Sequence, residues 1–414
     1  MTRVGLATIA REWGRIGCIG FGGPPAHIAL LRRLCVEQRG WLSADEFEDG
    51  IAVTNLLPGP ASTQLAIFCA WRLAGPAGAL VGGACFIVPG LVVILGLAAL
   101  FLAAHPPLWV AGAAAGAGAA VPAVAVAAAV GLMPASWRRA GPEPGRPRVG
   151  WPRWRWIGYL LVGAVAGATA GAFLVLVLAA CGLIELAVRR PPGSGGEAPP
   201  GSGGEAPGGE SGAGDSGPRS GRIAALLPVA LAAPAAAGGL AAVAWVAFKV
   251  GALSYGGGFV IVPLMQHDAV HTYHWMSGAQ FLSAVALGQV TPGPVVQTVA
   301  VVGFAAAGLG GGLLASLVAF APSFAFVLGG APRFAALRRN ALVQAFLTGA
   351  GPAAVGAIAG STIPLGLELS QSWQVAVLGL AAIWLLALRK NVVVAIVGAA
   401  GLGVVAVLAG APLS

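Results

Sequence analysis

Twelve apolar segments follow one another along the chain: 5–31, 51–71, 75–103, 107–134, 157–188, 223–243, 245–265, 281–305, 309–331, 341–363, 373–388 and 391–410. About 20 such residues cross a bilayer, and no soluble core could hide this many. Hydrophobic residues make up 57% of the 414 and charged residues 9%, against about 25% in soluble domains. These features predict an all-α polytopic membrane protein. The first segment contains Arg11, Glu12 and Arg15, which is wrong for the core of a cleavable signal. The five cysteines are scattered and form no C-x-x-C pair, so they read as small core residues. The net charge of +9 reads as basic cytoplasmic loops rather than a nucleic-acid surface.

Several segments carry breaks that lipid should penalise. In TNLLPGPASTQLA (54–66), Pro58, Gly59 and Pro60 interrupt an apparent helix. A proline in a helix interior costs about 3 kcal/mol. Irregular backbone survives at membrane depth only where protein or a water-filled cavity surrounds it.

The break is written twice. Laying 15–60 over 249–294 without gaps aligns Arg15 with Lys249, Phe21-Gly22-Gly23 with Tyr255-Gly256-Gly257, Trp41 with Trp275, and Pro58-Gly59-Pro60 with Pro292-Gly293-Pro294. Between 15 and 60, 12 of 46 positions are identical, and seven of those are Gly, Pro or Trp, which a shared apolar bias does not explain. Between the copies lies a polar, repetitive stretch, 189–222, that reads as a flexible linker. The expected units are therefore a repeat at 1–188, the linker, a connecting helix at 223–243 and a second repeat at 244–414.

Loop charges orient these units. Arg138, Arg139, Arg146, Arg148, Arg153 and Arg155 place the loop after 134 in the cytoplasm, as Arg333, Arg338, Arg339, Arg389 and Lys390 do in the second half. Counting crossings puts the equivalent loops 32–50 and 266–280 on opposite sides, so the copies are expected to be inverted. The stretch 157–188 fits two short crossings or one very tilted helix. With two, there are about thirteen spans, with the N-terminus in the cytoplasm and the C-terminus outside.

Duplicated breaks in inverted halves are how secondary transporters build binding sites near the midplane. Helix N-termini at a break point N–H groups outward and favour anions. Candidate substrate residues are Gly22, Gly23, Asn55, Pro58, Gly59, Pro60, Ser62, Thr63 and Gln64 in the first copy. In the second they are Gly256, Gly257, Gln289, Thr291, Pro292, Gly293, Pro294, Gln297 and Thr298. Arg15 and Lys249, each about six residues before a glycine break, are the candidate charges facing one anion from opposite sides. Snorkelling to an interface is the alternative for both. His267, His271 and His274 share one helical face, as a metal site or a pH sensor would, but they lie at an expected membrane edge and have no first-copy equivalents, so no metal site is expected. His27 reads as packing or a minor polar contact. Asp45, Glu46, Glu48 and Asp49 read as a solvated surface, Arg32 and Arg33 as a solvated end or an anion attractor, and Glu185 and Glu368 have no evident role. No P-loop, H-E-x-x-H or haem-attachment motif is present, so no enzyme activity or cofactor is expected.

FGGPPAHI…W…F…PGP in one half and YGGGF…W…F…PGP in the other closely resemble the chromate ion transporter (CHR) family, the ChrA proteins. The resemblance is clearest over 5–134 and 241–363. It implies a two-domain antiparallel protein of the bacterial inner membrane that exports chromate and confers chromate resistance. It also implies possible coupling to protons or to sulfate as counter-anion. The family's motifs fall on Gly22, Gly23, Pro58, Gly59 and Pro60, and on Gly256, Gly257, Pro292, Gly293 and Pro294. Gly258 and Phe259 stand where the first copy has Pro24 and Pro25, which makes the half-sites unequal. The expected substrate is a tetrahedral dianion, chromate before sulfate. A sulfate or other oxyanion importer, an anion channel and a non-transporting membrane scaffold are the rivals, and a homodimer is compatible with each.

Overall fold

The computed structural model describes residues 4–55, 57–103, 105–139, 153–169, 173–189, 239–254, 258–330 and 340–413. Among them every regular element is a helix. The first half holds α1 (Leu6–Ile19), α2 (Pro24–Arg32, continued by a wide π turn, Arg33–Gln38), α3 (Ala44–Thr54) and α4 (Ala61–Phe101). It continues with α5 (Leu108–Ala119), α6 (Val121–Arg139), α7 (Arg153–Thr169) and α8 (Leu174–Arg189). The second half holds α9 (Leu240–Leu253), α10 (Val262–Gln266, continued by a wide turn, His267–Thr272), α11 (Gly278–Val290) and α12 (Thr298–Gly330). After these come α13 (Ala341–Leu367), α14 (Ser372–Ala382, continued to Ala387) and α15 (Val392–Leu408).

The same local structures recur at the spacing that the motifs predict. Helices α1 and α9, and likewise the two wide turns, are separated by the same offset as Arg15 and Lys249. Ser43 and Glu46 build a capping box at the start of α3, and Ser277 and Gln280 build its counterpart at α11. Beyond the Pro-Gly-Pro the offset shortens by a single position. Ala74–Gly75 and Ala307–Gly308 share one non-helical conformation, and α5 and α13 begin at 108 and 341.

Those kinks change the expected spans. At Gly75 the chain reverses, so that α4 is two antiparallel arms, with Gly78 against Ala70 and Gly83 against Ile67. Helix α12 does the same at Gly308, with Gly311 against Gly303. The first arms, together with α1 and α9 at 14 residues each, are about 20 Å long, short of the roughly 30 Å hydrocarbon core. Four helices among the described residues are long and apolar enough to cross a membrane: Ala61–Phe101, Leu108–Arg138, Val295–Gly330 and Ala341–Leu367. The segments expected to span at 51–71 and 281–305 are instead each a short helix, a break and the start of a hairpin, because Pro-Gly-Pro cuts each of them and a glycine turns the chain just beyond, at 75 and 308. The stretch 157–188 is two helices that pack side by side, α7 and α8. Residues 190–238 lie outside the described residues, and with them nearly all of the linker and most of the connecting helix; the boundary expected at 243 falls inside α9. Of the orienting arginines, 146, 148, 333, 338 and 339 also lie outside.

The halves interlock. Helix α13 lies along α7 and α8, and α5 lies along α15. Small residues let the backbones touch: a Cβ on Gly163 would sit 2.0 Å from the Ala353 carbonyl oxygen, and one on Gly116 would sit 2.2 Å from that of Ala399. Buried Glu185 ties α7 to α8, accepting from Arg189 at 2.6 Å and from the Tyr159 hydroxyl at 3.1 Å, with Arg155 at 3.6 Å. These contacts were not legible in the sequence, because its partners come from two helices that only the fold brings together. Part of the acidic stretch is likewise committed, Glu46 to Arg72 and Glu48 to Arg32.

Candidate functional site

Each Pro-Gly-Pro of one half meets the glycine break of the other. The Gly59 N–H donates to the Ser254 carbonyl at 2.7 Å, and the Gly293 N–H donates to the Gly20 carbonyl at 3.0 Å. Gly20 and Ser254 end α1 and α9 and are repeat equivalents of each other. The two crossings therefore share one backbone arrangement, with the roles of the halves exchanged. Gly59 (φ +124°) and Gly293 (φ +100°) turn the chain through conformations that L side chains rarely adopt.

Polar side chains surround the crossings without saturating them. The Gln64 Nε2 donates to the Pro58 carbonyl at 2.7 Å, and the Gln297 Nε2 donates to the Ile87 carbonyl at 2.6 Å. Among the described residues their Oε1 atoms have no hydrogen-bond partner, nor do Thr63 Oγ1, Ser254 Oγ, Gln289 Nε2 and Ser323 Oγ, all buried. Buried polar atoms are paired in the large majority of cases, so this concentration of six needs an explanation. Beside the first break lies a cavity of about 160 Å³, lined by Asn55, Gly59, Ser136, Val260, Thr348 and Gly351 among others. At about 30 Å³ per water, it has room for a small tetrahedral anion. It mixes both halves, since Asn55 and Gly59 come from the first break and Thr348 and Gly351 from α13.

The remaining candidates are placed as follows. Ser62 is bonded to His27 at 3.2 Å; Thr291 donates to the Leu287 carbonyl and Thr298 to that of Val295, each at 2.9 Å. Gly22 and Gly23, both with positive φ, lead into α2, and Pro60 and Pro294 are the extended residues from which the next helices start. The Pro292 carbonyl abuts Gly90 of α4. Gly256 and Gly257 lie outside the described residues. Arg15 is largely exposed, with Glu12 at 4.0 Å, and Lys249 pairs with Asp268 at 2.5 Å. Each cation thus has a carboxylate beside it. Ring centroids of His267 and His271 are 6.0 Å apart, and no group of three metal-binding side chains occurs among the described residues.

Ser254 and Ser323 drew no notice in the sequence, whereas His27, expected as packing or a minor polar contact, lies within hydrogen-bond distance of Ser62 and of the Gly20 carbonyl. Ser254 has a glycine at its repeat-equivalent position, so no shared motif flagged it. Ser323 and its equivalent Gly90 lie on the far arms of the hairpins, and only the reversal at the kinks brings them to the breaks.

The family model for the chromate transporter matches residues 7–186 and 241–404. A chromate transport protein of Cupriavidus metallidurans is 31% identical over 402 residues, covering 95% of this chain and 91% of the relative. A probable chromate transport protein of Synechococcus elongatus is 29% identical, covering 91% and 89%. A chromate transport protein of Pseudomonas aeruginosa is 28% identical, covering 93% and 88%. No solved structure matches the chain.

Proposed function

The chain belongs to the chromate transporter family, and on that premise we propose that it is a secondary transporter of a tetrahedral oxyanion, with chromate first and sulfate second. In this reading it exports chromate across the bacterial inner membrane and confers resistance, with the N-terminus in the cytoplasm and the C-terminus outside. The two halves act as inverted repeats, and rocking of one against the other alternates access. The observation that carries the reading is the pair of reciprocal crossings with their unpartnered buried polar atoms. Gln64, Thr63 and Gln297, with Asn55 and Gln289, supply neutral contacts at the breaks. Gly22, Gly23, Pro58, Pro60, Pro292 and Pro294 shape the backbone that holds them, and Gly256 and Gly257 join them on the strength of the repeated motif alone. Lys249 and Arg15 supply positive potential from the flanks, each moderated by its carboxylate.

Inside-out vesicles energised by respiration test this. Uphill accumulation of labelled chromate is expected, with Gln64→Ala and Gln297→Ala reducing the rate about tenfold or more, a loss of about 1.4 kcal/mol or more in transition-state stabilisation. Flux that only runs downhill would make the protein a channel. Sulfate carried as fast as chromate would broaden the substrate to oxyanions in general.

A further inference from the structure

His27 joins three parts of the crossing. It is fully buried, and its ring meets Phe86 edge-on with centroids 5.0 Å apart. Nε2 lies 2.9 Å from the Gly20 carbonyl oxygen. A carbonyl only accepts, so Nε2 carries the hydrogen, and in a neutral imidazole Nδ1 is then an acceptor. Nδ1 lies 3.2 Å from Ser62 Oγ, which must be the donor. Ser62 follows the first Pro-Gly-Pro and adjoins Ala61, which lines the cavity. The Gly20 carbonyl also accepts the Gly293 N–H from the second Pro-Gly-Pro. One imidazole therefore reaches the end of α1 and both breaks. The arrangement exists once, because Ile261 stands at the repeat position of His27 and, with the offset shortened beyond the Pro-Gly-Pro, Val295 at that of Ser62.

No charged side chain contacts the ring among the described residues. On the elements packed against it, α1 carries Arg11, Glu12 and Arg15, with Glu12 turned to Arg39 at 2.7 Å. Helix α4 carries Arg72, paired with Glu46, and the thiols of Cys69 and Cys85; α2 itself carries Arg32, paired with Glu48. A charged imidazolium here would be an unpaired buried charge, which is costly unless an anion arrives.

We propose that His27 is a proton-binding site linked to occupancy of the crossing by a dianion. The proposal rests on the transport reading above. The anion supplies the counter-charge that the empty site lacks. A hydronium ion then gives its proton to Nδ1, its O–H bond breaking as the N–H bond forms and leaving water, and the Ser62 hydroxyl rotates from donor to acceptor, while the Nε2–H bond to Gly20 persists. No covalent bond other than N–H forms. By linkage, the proton tightens the anion as much as the anion tightens the proton.

Titration calorimetry of the full chain in detergent tests this, with sulfate and with chromate, in buffers of different ionisation enthalpy. The expected result is uptake of up to one proton per anion and affinity that tightens as pH falls from about 8 to about 5.5, by at most about tenfold per unit. His27→Gln preserves a donor for Gly20 and an acceptor for Ser62 but cannot titrate, so its affinity should be flat and its uptake absent. Ser62→Ala removes the acceptor for the new proton and should lower uptake even if His27→Gln fails to fold. Binding without proton uptake in the wild type overturns the proposal, as does wild-type uptake in either variant. No binding of either anion at any pH would instead defeat the transport reading, and this proposal with it.

Discussion

The two halves keep one backbone and fill it differently. At one crossing, Gly59 reaches Ser254 with the Ser323 hydroxyl alongside; at the other, Gly293 reaches Gly20 with bare Gly90 and His27 alongside. The cations diverge too. Lys249 is largely enclosed and bonded to Asp268, whereas its equivalent Arg15 is mostly exposed and only loosely near Glu12. Reciprocal hydrogen bonds hold the main chain to a common path, while the side chains beside that path differ. One repeated backbone arrangement therefore carries two unequal sets of side chains.

The contrast between the cations should give the largest difference. Asp268→Asn leaves an ammonium group with 19% side-chain exposure and no carboxylate, and breaking a buried pair costs about 3–5 kcal/mol. The exposed part of Lys249 puts the expected loss at the low end. Arg15→Gln, on a side chain with 69% exposure, should shift stability by less than about 0.5 kcal/mol. Thermal unfolding in detergent checks both, and equal shifts would remove the asymmetry.

Gly90 and Ser323 give the next contrast. A Cβ on Gly90 would lie 2.1 Å from the Pro292 carbonyl oxygen and 2.5 Å from Gln297 Oε1. Gly90→Ala must push the second break away and should cost about 1–3 kcal/mol as well as transport. Ser323→Ala removes an unpartnered hydroxyl and should leave stability within about 0.5 kcal/mol. A well-tolerated Gly90→Ala would mean that the tight second crossing is not needed.

Much of this was legible in the sequence, because glycine and proline mark backbone geometry directly. The matched breaks, and the helices α1 and α9 that lead into them, follow from residues 15–60 and their copy. The hairpin reversals did not follow, because a single glycine at 75 or 308 inside an apolar run looks like any small packing residue. His27 read only as packing or a minor polar contact for a related reason. A lone histidine in an apolar segment shows its meaning only when Gly20, Ser62 and Gly293 are seen around it. The pairing of Lys249 with Asp268 joins α9 to the wide turn after α10, and depends on how α10 folds back beside α9.

The smallest expected effect separates the two capping boxes. Ser43→Ala and Ser277→Ala should each cost about 1 kcal/mol, since both hydroxyls accept from the backbone N–H three residues on. Their partners differ: Glu46 closes the first box and Gln280 the second. The hydrogen bond from the Ser43 backbone N–H, aided by Arg72, holds the Glu46 carboxyl below its ordinary value of 4.5. A group whose folded value is depressed contributes stability above its unfolded value, and that contribution fades as pH falls through the folded one. Acid should therefore loosen the first turn of α3 and spare that of α11, whose glutamine does not titrate. Hydrogen exchange, corrected for intrinsic rate, should show 44–48 losing protection relative to 278–282 between about pH 7 and about pH 3. Equal loss in both turns would show that global acid unfolding, not the Glu46 cap, sets the response, and Glu46→Gln should abolish any difference between them.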